Sequence, residues 1–225
     1  MTRLDKKALV SVFVLTAVMA LLILLPGGSL DYWQAWLYLA VFFFVSILIT
    51  LYLMKNDPAL LERRMRGGPT AEVRPSQKII MLFLSIGFIA LIVLPALDHR
   101  FGWSQPPSIV PIVGNLLVVT GFYLIALVYR ENTFTAATIQ IAENQKVIST
   151  GPYAIVRHPM YSSALIYLCG TPLALGSYWG LIVFLAIIPF LIWRIIDEEK
   201  ALANELPGYT EYQRRVRYRL LPLIW

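Results

Sequence analysis

Charge is scarce in this 225-residue chain. Only 14% of residues are Asp, Glu, Lys or Arg, 58% are hydrophobic, and the mean hydropathy is +0.68. Soluble domains carry about 25% charged and about 45–50% apolar residues, so a water-soluble domain, a disordered chain and a coiled coil are excluded. Cysteine is nearly absent: Cys169 alone excludes an intrachain disulfide and a multi-cysteine zinc site. In its apolar run it reads as a small buried filler. The only histidines are His99 and His158. No GxGxxG, P-loop, GxSxG or HExxH pattern occurs. A nucleotide-like cofactor must therefore be held by helices and loops. Repeats at a fixed period and low-complexity tracts are missing as well.

What the chain has is long apolar runs. A bilayer-spanning helix needs about 20 mostly apolar residues. Candidates are Ala8–Leu25, closed by Pro26-Gly27-Gly28; Trp33–Met54, opened by the interfacial aromatics Tyr32, Trp33 and Trp36; Ile79–Leu97; and Ile109–Tyr129. The stretch Met160–Ile196 is too long for one span, and its break at Leu175-Gly176-Ser177 predicts a tight helical hairpin. The expected fold is an all-α integral membrane protein with six transmembrane helices, or five if one lies shallow. The first run resembles a signal peptide, but no small-x-small cleavage site follows it, so it reads as a retained span. Within the connection 55–78, Ala59–Met65 is expected to form a short helix on the membrane surface.

Basic residues concentrate on cytoplasmic loops. With six spans, every Lys and Arg except Arg100 falls on one side: the N-terminus, the 55–78 and 130–157 loops, and the tail. Both termini are thus expected in the cytoplasm of a multi-pass protein, in a prokaryotic inner or plasma membrane. The net charge of +6 is then a topology signal and calls for no nucleic-acid partner. The two histidines fall on opposite sides, so no shared metal is expected. Arg194, two residues from the end of the last run, is the one charged residue inside the apolar runs, which argues against the intramembrane relays of pumps and transporters.

Polar and titratable residues gather instead in the last third, in three clusters. Ser149 to Tyr161 contains a Gly151-Pro152 turn and Pro159 in the first turn of a new helix. His158 precedes that helix, beside backbone N–H groups suited to a carboxylate or phosphate. The same residues also suit a positive-inside flank, with Tyr153 and Tyr161 as interfacial aromatics. The second cluster is Arg194, Asp197, Glu198 and Glu199. Arg194 and Glu198, four apart on one helical face, suit either an i,i+4 ion pair or a site in which Glu198 accepts from a diol and Arg194 forks onto a carboxylate or carbonyl. The third cluster is the tail from Glu205 to Pro222, whose alternating Arg and Tyr fit a segment in the headgroup layer.

Together these motifs resemble a known family. Gly151-Pro152-Tyr153-x-x-Val156-Arg157-His158-Pro159-x-Tyr161, then Arg194-x-x-x-Glu198-Glu199-x-x-Leu202, Gly208-Tyr209-x-x-Tyr212 and Arg219-Leu220-Leu221-Pro222, look like the signature of isoprenylcysteine carboxyl methyltransferases and their prokaryotic relatives. The resemblance implies a membrane methyltransferase that uses S-adenosyl-L-methionine and a lipophilic small-molecule or lipidated acceptor, in contact with membrane lipids and without a metal. It implies a catalytic region over 109–225 and an acceptor side over 1–108, where no motif aligns. Cofactor contacts carry over to Gln140, to the backbone of Gln145, Lys146, Val147 and Ile148, to Tyr153, and to His158, Pro159, Met160 and Tyr161. Glu198 would bind the cofactor and Arg194 the acceptor; these two are the catalytic pair. Two features depart from the prenylcysteine pattern: no histidine near Gln145, and Pro207-Gly208 in place of Phe-Gly. An NADPH-dependent reductase of the sterol-reductase type shares the Arg-His-Pro-x-Tyr region and is the alternative; a non-catalytic membrane scaffold is a third reading.

Overall fold

The structure is a computed structural model, and it describes residues 1–139 and 145–225. Among these the chain is helical throughout, without strands. Helix α1 (Arg3–Gly27) begins with a capping box, Thr2 and Asp5 each satisfying the other's backbone N–H, and stops where Gly28 turns left-handed at φ 67. Helix α2 spans Trp33–Asn56. The short α3 (Pro58–Met65) is capped by Asp57, whose carboxylate accepts from the Leu60 N–H at 2.9 Å, with Pro58 in its first turn. A 3-10 turn at Pro69–Ala71 leads into α4 (Pro75–Phe101), followed by α5 (Ile109–Glu131).

The expected hairpin is present as α6 (Pro159–Ala174) and α7 (Gly180–Glu205), turning where Gly176 takes φ 72. A second 3-10 turn at Gly151–Ala154 precedes it and α8 (Tyr209–Arg215) follows it.

Helices α1, α2, α4, α5 and α7 are long and apolar enough to cross a membrane. Helix α6 has 16 residues, about 24 Å of helix, short of a full span. It nonetheless runs the depth of the bundle. Its first turn lies beside the Arg194 end of α7, where the Arg194 Nε–H donates to Tyr161 at 3.0 Å. At its other end the carbonyl of Leu175 accepts from the Tyr32 hydroxyl, at the junction of α1 and α2. A traverse by so short a helix requires the site end to sit below the surrounding helix ends.

The closest packing is between α5 and α6. A Cβ at Gly114 would lie 2.1 Å from the Ala174 nitrogen, one at Gly121 2.8 Å from the Ser163 carbonyl, and one at Gly170 2.7 Å from the Gly114 carbonyl. Small residues let the backbones touch, as in membrane helix pairs generally.

The main core joins Met19 and Ile23 of α1, Tyr38 and Phe42 of α2, Ile92 of α4, Val118 of α5 and Ala174 of α6, and so draws on both sides of residue 108. Tyr32 departs from the interfacial role expected of it: it is fully buried and stacks on His99 at 3.7 Å. Trp33 and Trp36 are exposed, as an interfacial role requires. At this end Asp98, also buried, accepts from the Ser104 N–H and from the hydroxyls of Ser104 and Ser177, locking α4 to the hairpin turn.

Candidate active site

The opposite end holds the site. Helix α7 continues nine residues past Ile196, and its three consecutive acids fan out, since successive helical positions differ by about 100°. Asp197 turns to α4, where it accepts from Ser76 and from the Gln77 amide. Glu198 turns to α6 and accepts from the Tyr161 hydroxyl at 2.6 Å. Glu199 turns to the tail. Its Oε1 accepts from Arg157 Nε at 2.6 Å and lies 3.2 Å from His158 Nε2, while its Oε2 accepts from Arg219 Nε at 2.8 Å.

Glu199 is therefore the hub of a latch. The Arg157 guanidinium also donates to the carbonyls of Val216 and Arg217, and the backbone N–H groups of Arg157 and His158 donate to Tyr218 and Arg219. The Ser162 hydroxyl donates to the Leu220 carbonyl at 2.6 Å. Only Arg214, Arg215 and Arg217 of the tail's basic residues stay exposed for a headgroup role. The tail instead folds over the hairpin entrance. His158 Nε2 faces Glu199 and the His158 backbone N–H donates to the Arg219 carbonyl, so both are engaged within the chain rather than offered to an anion.

Arg194 and Glu198 do not form the i,i+4 pair that their spacing allows; Tyr161 stands between them, accepting from Arg194 Nε and donating to Glu198. The other guanidinium nitrogens are engaged too. Nη1 donates to Gln77 Oε1 at 2.7 Å, Nη2 donates to the Ala137 carbonyl at 3.1 Å, and Nη2 lies 2.8 Å from Glu72 Oε1. Arg194, Gln77 and Glu72 are all buried.

A cavity of about 800 Å³ lies against Arg194 and Glu198, within the range of small-molecule sites. Gln145, Lys146, Val147, Ile148 and Tyr153 line it from the segment before the hairpin. His158, Pro159, Met160 and Tyr161 line it from the start of α6, and Arg194 and Glu198 from α7. Every expected site residue within the described range thus borders one space; Gln140 lies outside the described residues. Tyr153 and Tyr161 are not interfacial aromatics but walls of the cavity. Tyr209 and Tyr212 of α8 close the same end. Burial pushes the phenols of Tyr153, Tyr209 and Tyr212 above the ordinary tyrosine range, so all three remain protonated donors. The Tyr212 hydroxyl donates to the Tyr153 carbonyl at 2.7 Å, and Asn132 donates to the Tyr153 hydroxyl at 2.9 Å. The Tyr209 hydroxyl is buried without a hydrogen-bond partner among the described residues.

The rest of the lining is apolar and reaches inward. Met81, Leu84, Phe88 and Ile89 of α4 face Tyr167 and Leu168 of α6 and Ile187 and Leu191 of α7. Ile89 lies about 21 Å of helix beyond Pro75. The cavity has a polar head and a greasy stem, and Arg194 and Tyr161 stand at the junction.

Glu72, Gln77, Asn132 and Tyr209 join the site only through the fold. For Tyr209 a signal exists, in the Gly-Tyr-x-x-Tyr motif. Glu72 and Gln77 reach Arg194 across more than 115 residues, and composition carries no trace of that contact.

Comparison with known proteins defines the class. The phospholipid methyltransferase family matches residues 109–207. A protein-S-isoprenylcysteine O-methyltransferase B of Arabidopsis thaliana is 32% identical over 142 residues, covering 61% of this chain and 70% of that protein. The cobalt-zinc-cadmium resistance protein CzcN of Cupriavidus metallidurans is 28% identical over 105 residues, covering 46% and 48%. With its membrane-spanning helices, the protein is a multi-pass membrane methyltransferase. It belongs to the isoprenylcysteine carboxyl methyltransferase family, within the phospholipid methyltransferase group.

Proposed function

We propose that the protein transfers a methyl group from S-adenosyl-L-methionine to a lipophilic acceptor at the cytoplasmic face of the membrane. The observation that carries this reading is the joint cavity, whose polar head and apolar stem meet at Arg194 and Tyr161. The residues of the head fit the cofactor. The second oxygen of Glu198 is available to accept from a ribose diol, the partnerless Tyr209 hydroxyl offers a buried donor, and residues 145–148 present backbone groups. When bound, S-adenosyl-L-methionine supplies an electrophilic methyl group whose bond to sulfur breaks as the acceptor's nucleophilic atom bonds to it.

The chain's part is positioning and exclusion of water. Such confinement contributes up to about 7–11 kcal/mol when reacting atoms are well aligned. Tyr161 fixes Glu198 and Arg194 relative to each other, Glu198 orients the donor, and Arg194 orients the acceptor's reacting group. The tail latched by Glu199 and the ring of Tyr153, Tyr209 and Tyr212 shield the head from solvent. The apolar stem suits an acceptor that stays in the bilayer; the Arabidopsis relative's name points to isoprenylcysteine, and phospholipid amines, isoprenoid acids and thiols share the apolar requirement. The basic loops gathered at the site end support a cytoplasmic location.

The test is incubation of the purified protein with methyl-labelled cofactor and a membrane lipid extract. Label appearing in the apolar fraction with wild type, and not with Arg194→Ala, supports the reading, provided the variant still binds cofactor. Loss of cofactor binding in Arg194→Ala contradicts the division of roles.

A further inference from the structure

Arg194 meets an acid that belongs to the chain itself. Glu72 follows the 3-10 turn Pro69–Ala71, between exposed Ala71 and Val73, yet its own side chain is 1% exposed. The turn is entered through Gly68, whose φ of 99 with open space around it lets the backbone reverse. One carboxylate is thus folded inward from a surface segment otherwise rich in arginine. Its Oε2 accepts from the Ile139 N–H at 3.2 Å, and its Oε1 pairs with Arg194 Nη2 at 2.8 Å without an aligned hydrogen bond. With Nε on Tyr161 and Nη1 on Gln77, no edge of the guanidinium has two unengaged nitrogens. A carboxylate arriving at Arg194 therefore meets nitrogens that already serve other acceptors, and at Nη2 it meets the charge of Glu72.

We propose that Glu72 is a specificity-determining residue: a carboxylate supplied in cis that holds Arg194 and competes with anionic acceptors for it. This rests on Arg194 as the residue facing the acceptor. An incoming carboxylate that aligned both oxygens with the guanidinium would bind it better than Glu72 does, but it brings a second negative charge against Glu72 at Nη2, and pushing Glu72 aside leaves that charge buried. A headgroup without charge meets no such competition. The unaltered site therefore discriminates against carboxylate heads, and Glu72 sets how strongly. Other loop contacts carry the coupling outward. Arg63 and Arg64 donate to the carbonyls of Thr133 and Ala136, tying α3 to the segment that supplies Ala137 and Ile139. The N-terminal half thereby acts on acceptor choice without sharing a motif with the site.

The probes are a 14-carbon fatty acid and its methyl ester, titrated into the protein in nanodiscs as wild type, Glu72→Gln and Glu72→Asp. Glu72→Gln keeps the shape and removes the charge, so the affinity for acid relative to ester rises about tenfold, the scale of one charged hydrogen bond. Glu72→Asp stays near wild type. An unchanged ratio in Glu72→Gln overturns the proposal, and a lower one shows Glu72 to be a positioning support instead. If Glu72→Gln does not fold, wild type answers by hydrogen exchange: saturating acid, and not ester, speeds exchange of the Ile139 amide. Unchanged exchange at Ile139 overturns the proposal. Cofactor binding measured on the same samples separates the two claims. Its absence from wild type defeats the proposed function, while the acid-to-ester ratio still reports on Glu72.

Discussion

Replacing Glu199 by alanine removes the one carboxylate that ties Arg157, His158 and Arg219 together. Arg157 and Glu199 are both about 6% exposed at the side chain, so their pair is desolvated. Breaking a buried pair by deleting one partner costs about 3–5 kcal/mol, because the remaining charge is stranded. Two features set the value at the low end. Arg157 keeps the carbonyls of Val216 and Arg217 as acceptors, and the Arg219 side chain is one-third exposed, so solvent screens its share. About 3 kcal/mol remains, corresponding to a rise of about a hundredfold in the population of the undocked tail. Because Tyr209 and Tyr212 wall the cavity just before this tail, cofactor affinity falls with it. The assay is hydrogen exchange over residues 216–225 with a parallel cofactor titration. Glu199→Ala deprotects the tail and weakens cofactor, while Glu199→Gln, which still accepts hydrogen bonds, does so less. A Glu199→Ala protein with wild-type tail protection and wild-type cofactor affinity refutes the latch.

Other outcomes follow from the same geometry. Arg194→Lys fails to restore turnover, because an ammonium cannot meet Tyr161, Gln77 and Ala137 in the planar arrangement that the guanidinium fills; the measurement is the initial rate at saturating cofactor. Gly114→Ala places a Cβ within 2.1 Å of the Ala174 backbone and forces α5 from α6. The cost is at least about 1–3 kcal/mol, read as a lower thermal midpoint in detergent, whereas an unchanged midpoint contradicts the close packing.

Much of the fold is legible in the sequence because the bilayer imposes long apolar runs and turn residues punctuate them. Gly176 breaks the hairpin where the long apolar run predicts it, and the short helix expected over Ala59–Met65 is present as α3, begun one residue earlier by Pro58 after the Asp57 cap. The end of α7 is less legible. A helix that leaves the apolar layer continues through charged residues, so hydropathy stops at Ile196 while the helix runs to Glu205. Tyr32 misleads for a related reason: a tyrosine beside two tryptophans reads as interfacial, but its ring is claimed by His99 and its hydroxyl by the hairpin turn. In the site, the family resemblance of the motifs in 151–161 and 194–202 leads to the residues that wall the cavity. The spacing singles out Glu198, four residues from Arg194, but it does not show that Glu199 holds the tail, because that contact depends on a helix face whose neighbours must be known. Glu72 and Gln77 are the furthest from view, since their role exists only after α4 packs on α7.

Equilibrium binding of S-adenosyl-L-methionine to the purified protein, with Glu198→Ala and NADPH as controls, tests the central claim most directly. The account predicts saturable binding at about micromolar cofactor, a level usual for enzyme ligands, lost in Glu198→Ala and not reproduced by NADPH. Saturable NADPH binding with none of S-adenosyl-L-methionine, in a folded sample, contradicts it.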